Sequence, residues 1–167
     1  RFDLINESDP MVYDREENQD VTVKDILGIG CDQFLFCSFG NINTNRLPHL
    51  ILQAFKQAFS ETDPVVLAFV GEAEQGQLES EFLKSIHDLE LEHRVKITGR
   101  VDDRTYELYL KAADIAIQIY DHSWNGNERG ILDAISAEIP TILNSQTPKN
   151  NNEYKIFSLP EDAAPDE

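Results

Sequence analysis

The chain has 167 residues, which suits one domain with a proper core and is too short for two full catalytic domains. It carries 14 basic and 31 acidic side chains, a formal charge of -17, which leaves no basic patch for nucleic acid and argues against an anionic membrane surface. The longest apolar runs are strand-length, far below the ~20 residues of a spanning helix.

Residues 1–20 are acidic and lack a sustained period, so they read as a linker or entry segment. The sequence starts at Arg1 with no leader pattern after it, and a fragment of a longer protein is expected. Asp20 is placed to cap a short helix from Val21 to Leu27 that Gly28 ends. Gln33 to Phe39 then form a buried strand by their aromatic and apolar run.

A helix from Leu47 to Phe59 follows, with Leu47, Leu50, Ile51, Ala54, Phe55 and Ala58 at helical spacing and Pro48 in its first turn. Val65 to Val70 are the second strand, and Leu78, Phe82, Leu83, Ile86 and Leu89 mark one face of a second helix. Arg94 to Thr98 form a short third strand. Asp103 to Ala113 form a third helix with Tyr106, Leu110 and Ala113 inward, and Asp114 to Tyr120 a fourth strand.

A fourth helix spans about Asn127 to Glu138 and carries Ile131, Leu132 and Ile135. Strands from Pro140 to Asn144 and from Tyr154 to Leu159 complete the pattern. Five or six strands alternating with amphipathic helices predict a three-layer, Rossmann-like α/β sandwich with a mostly parallel sheet.

In such a sheet, ligands bind outside the carboxyl ends of the strands. Glycines stand directly after the first three strands, at Gly40, Gly71 and Gly99. Each serves either a tight turn or the close approach of a ligand. Gly28-Ile29-Gly30 precedes a strand and lacks the third glycine of a dinucleotide fingerprint, which disfavours an NAD-dependent oxidoreductase.

Asp32 reads as a surface aspartate. The four histidines lack paired spacing, so no metal is expected. His49, His87 and His93 read as structural or solvated, and His122 as a rim residue without a nucleophile beside it. Cys31 and Cys37 fit neither a Cys-x-x-Cys nor a zinc spacing, which suits a reducing cytosol.

From about Val21 onward the order of segments resembles the C-terminal domain of a family 4 type glycosyltransferase of the GT-B fold. The likeness rests on FCSFGNINTNRLPHLILQAF, on VVLAFVGEAE, on VKITGRVDDRTYELYLKAADIAIQIY and on NGNERGILDAISAEIPTILN. The resemblance implies that residues 21–167 form half of a GT-B enzyme, the half that holds a nucleotide-sugar donor such as a UDP- or GDP-sugar. Asp133 then stands where a glutamate binds the donor ribose, and Arg46 where a lysine meets the diphosphate. Gly40 belongs to the first loop, and Gly99, Arg100 and Val101 match the turn that reads the base. Asn125 and Gly126 fall in the segment before the last helix, where amides approach phosphate.

This sequence departs from the family pattern at Asn125, in the place of a first glutamate, and at Asn41, in the place of a phosphate-binding arginine. Glu138 stands where glycine is common. The resemblance further implies sugar transfer to a glycan or lipid acceptor with retention, and no cofactor. It also implies an acceptor site in an N-terminal domain, surface-polysaccharide synthesis and a cytoplasmic place, peripheral to the membrane. A second expectation is a non-catalytic α/β interaction module descended from such a transferase, which the changes at Asn41 and Asn125 favour.

Overall fold

The computed structural model describes residues 22–121, 129–144 and 156–158, the last by backbone alone. Its elements in chain order are α1 (Val23–Ile26), β1 (Phe34–Phe39), a 3-10 turn (Thr44–Arg46), α2 (Pro48–Ala58), β2 (Val65–Val70) and α3 (Gln77–Asp88). There follow β3 (Val95–Ile97), α4 (Asp103–Ala112), β4 (Ile115–Gln118), α5 (Arg129–Ser136), β5 (Thr141–Leu143) and β6 (Ile156–Ser158). The six strands form one sheet in the order β3-β2-β1-β4-β5-β6, with every pairing parallel.

β1 from Leu35 onward and all of β2 are buried on both faces, as their largely apolar sequences require, and the two pair over their whole length from Phe34↔Val65 to Phe39↔Val70. One face packs Phe36, Leu67, Phe69 and Val95 under Ile51, Leu52, Phe55, Phe82 and Ile86 of α2 and α3. The other packs Leu35, Cys37, Phe39, Val66, Ala68 and Ala116 under Tyr109, Ala112 and Ala134 of α4 and α5. The layers are helix, sheet and helix.

Several expected boundaries and faces shift. The cap of α1 is Thr22, whose side chain accepts from the Asp25 amide while the Asp25 carboxylate accepts from the Thr22 amide. Asp20 lies outside the described residues. β4 starts after Asp114, because that carboxylate turns aside to accept from the Leu35 amide at 2.7 Å and from Lys24 Nζ at 2.6 Å.

Tyr109 and Ala112 are the deeply buried residues of α4, with Tyr106, Leu110 and Ala113 packed at the margin of the same core. In α2, Leu52 is buried where Ala54 and Ala58 were expected and lie exposed. α5 buries Gly130 and Ala134, whereas Leu132 is 58% exposed, since the helix runs too close to β1 for a large side chain on that face.

Candidate functional site

The chain runs outward from β1 to β3, then returns through α4 to place β4 on the other side of β1. The carboxyl ends of β1 and β4 therefore flank the topological switch point, where open α/β sheets form their ligand crevice. Gly40 to Arg46 follow β1 there and Ile119 to Asp121 follow β4.

Arg46 is buried at this point. Its Nη1 donates to the Phe39 carbonyl and, at 3.1 Å, to Gln118 Oε1, and its guanidinium lies over the Tyr120 ring, 5.1 Å from the centroid. The Tyr120 hydroxyl donates to the same Gln118 oxygen at 2.9 Å. Gly40 makes this possible: its φ is +109°, and a Cβ there would stand 2.5 Å from Arg46 Nη2. The sequence therefore brings Gly40 and Arg46 together, with Gln118 and Tyr120 as partners that the reading of the strand as an apolar run missed. A single amide inside DIAIQIY was the available signal.

α5 begins over the end of β1, where a Cβ on Gly130 would meet the Phe39 carbonyl at 2.5 Å and Gln118 Nε2 at 3.2 Å. Gln118 is 1% exposed, and its Nε2 has no hydrogen-bond partner among the described residues. One turn into α5, Asp133 Oδ2 accepts from the Tyr106 hydroxyl at 3.0 Å and lies 3.4 Å from Arg129 Nε. The Tyr106 ring in turn meets Phe39 edge-on at 5.5 Å. Burial, then the bond to Asp133 and its charge, push the Tyr106 phenol well above its ordinary range.

Gly99, Arg100 and Val101 follow β3, two strands from β1. Gly99 adopts a φ of +65° with open space around it, Arg100 is exposed, and Val101 packs at the margin of the core that Tyr109 and Ala112 help to form. Asn125, Gly126 and His122 lie outside the described residues.

Beside the switch point, a cleft of about 360 Å³ opens between the loops after β1 and β2, lined by Asn41, Asn43, Glu72, Ala73, Glu74 and Gln75. A short parallel bridge fixes these loops together, with Ile42 donating to Glu72 at 2.8 Å and Glu74 to Ile42 at 2.9 Å. Its two carboxylates, Glu72 and Glu74, disfavour an anion on that side.

This order of parallel strands, with helices on both faces, defines a Rossmann-like α/β domain. The chain belongs to the family of glycosyl transferases group 1, which matches residues 21–151. No curated protein matches it.

Among solved structures it is similar to HepE of Anabaena in complex with UDP and glucose, with a TM-score of 0.63 and 23% identity over 72% of this chain and 32% of that one. It is also similar to the C-terminal domain of a glycosyl transferase group 1 family protein, LpcC, from Francisella tularensis, with a TM-score of 0.63 and 16% identity over 72% of this chain and 62% of that one. WaaG, a glycosyltransferase involved in lipopolysaccharide biosynthesis, gives a TM-score of 0.59 at 18% identity over 72% of this chain and 31% of that one. At these identities the likeness is one of fold, and the chain spans about a third of the length of HepE and WaaG.

Proposed function

We propose that the chain is the C-terminal, donor-binding half of a retaining glycosyltransferase of the family 4 type. It holds a nucleotide diphosphate sugar, and the sugar passes to a glycan or lipid acceptor carried by an N-terminal half. The observation that carries this reading is the Arg46 guanidinium fixed at the switch point, with Asp133 on the helix above the same strand end. The family and the UDP complex of HepE support a nucleotide as the ligand.

The diphosphate meets Arg46 and the amides that open α5, while Asp133 takes ribose hydroxyls and the turn at Gly99, Arg100 and Val101 faces the base. A fixed cation in a part-buried crevice stabilises the charge that develops on the leaving diphosphate, so the chemistry runs without a cofactor. No helix among the described residues is long and apolar enough to cross a membrane. The resemblance supports a cytoplasmic enzyme of surface-polysaccharide synthesis that touches the membrane through its other half.

Thermal unfolding with UDP, GDP, ADP or no ligand tests the reading. A ligand at 100 times its dissociation constant adds ~2.7 kcal/mol, and each kcal/mol raises Tm by ~2 to 4 °C at this size. One diphosphate should shift Tm, and Asp133→Ala should abolish the shift.

The alternative, an interaction module that has lost donor chemistry, draws on Asn41 and on the engagement of Arg46 Nη1 by Phe39 and Gln118. It predicts no shift with any of the three nucleotides.

A further inference from the structure

Asp133 is one methylene shorter than the glutamate it replaces in the resembled family, and one of its two oxygens is already engaged. Oδ2 accepts from Tyr106 and faces Arg129 Nε, whereas among the described residues no hydrogen bond reaches Oδ1. Two adjacent ribose hydroxyls are best met by two acceptor atoms side by side, and Oδ2 already faces Tyr106 and Arg129, which leaves Oδ1 as the open carboxylate oxygen. The second acceptor lies next to it. A phenol that donates its proton to a carboxylate keeps its oxygen lone pairs for an incoming donor, and the Tyr106 oxygen is 3.0 Å from Asp133 Oδ2.

Tyr106 is suited to this task by its position. It is half-buried, its ring is fixed against Phe39 at the carboxyl end of β1, and the pair joins two neighbouring helices, Tyr106 on α4 and Asp133 on α5. Burial and the neighbouring Asp133 both keep the phenol protonated, so it remains a donor to the carboxylate throughout the neutral range.

We propose that Tyr106 and Asp133 act as one ribose-binding unit, in which Asp133 Oδ1 accepts one hydroxyl and the Tyr106 phenol oxygen accepts the other. The unit replaces the two oxygens of a single longer carboxylate. This rests on the donor-site reading above and adds to it a ligand-touching residue on α4.

Calorimetric titration of the full chain tests it, with UDP, GDP and ADP first and then the 2′-deoxy and 3′-deoxy forms of the tightest binder. The wild-type chain should bind each deoxy form about tenfold more weakly than the ribonucleotide, the usual effect of one lost hydrogen bond. Tyr106→Phe keeps the ring against Phe39. It should weaken the ribonucleotide about tenfold and erase the penalty for one deoxy form while keeping the penalty for the other.

A purely structural role for Tyr106 would weaken all three ligands alike, and that outcome overturns the proposal, as does unchanged or tighter ribonucleotide binding by Tyr106→Phe. Asp133→Asn checks the pair from the other side and should reduce both penalties. Absence of nucleotide binding by the wild-type chain overturns the donor-site reading itself and the proposal with it.

Discussion

At the scale of single residues, the switch point is built by what is missing as much as by what is present. A Cβ on Gly71 would run into the Gly40 carbonyl, and one on Gly130 into that of Phe39, so in both places backbone packs on backbone. Gly71→Ala should therefore destabilise the fold by about 2 kcal/mol or more, because a carbonyl cannot swing aside as a side-chain end does. A lower urea midpoint at unchanged slope would register it. The sequence placed Gly71 at a strand end and offered a turn or a ligand as its reason. Neither was the contact that decides it, because a contact between consecutive βα loops leaves no local pattern. Arg46 was legible as a cation on the rim, yet its attachment to Gln118 and Tyr120 depended on β4 lying beside β1.

The helices show what periodicity captures and where it stops. All four longer helices were legible in the spacing of their apolar residues, but the buried face of α5 consists of Gly130 and Ala134, and large residues such as Leu132 point away. A hydrophobic pattern ranks size, whereas a helix lying close against a strand selects for smallness.

The end of α3 carries a pH effect. His87 Nδ1 lies 2.6 Å from Glu92 Oε1, and that bond raises the imidazole above its ordinary value, while the backbone amide at Glu92 and then the bond to His87 lower the Glu92 carboxyl. The histidine contribution is full below the unfolded imidazole value and fades as pH rises through the folded one. The carboxylate contribution is full above its unfolded value and fades as pH falls through the folded one. The pair is thus strongest in mildly acid solution, at about pH 5.5. Comparing Tm with that of His87→Gln across pH 4 to 9 should give the widest gap there, a small one, since both groups are exposed.

For the whole molecule, alternation of strands and helices made the α/β class and the parallel sheet readable, and right-handed crossovers then constrain the order of strands. What the sequence did not display was the seam between β1 and β4, where we propose the donor binds, because pairing partners there are far apart in the chain. The Asp114 carboxylate, which ties β4 to the Leu35 amide 79 positions away, is one such tie. Central burial also governs the thiols. Cys37 lies inside the sheet, and burial, then the charge of Asp114, push it far above the ordinary thiol range, while Cys31 is exposed. One thiol should react with a disulfide reagent in the native protein, and the second only at the rate of global unfolding.

The same seam has a consequence during synthesis. β1, β2 and β3 leave the ribosome first and can pair at once, but the second edge of β1 stays bare until Ile115 and Ala116 arrive to pair with Phe36 and Cys37. Until then the unpaired backbone edge of an apolar strand is open to any other chain. For the growing polypeptide, the hazardous interval is the emergence of α4, and the arrival of β4 closes it.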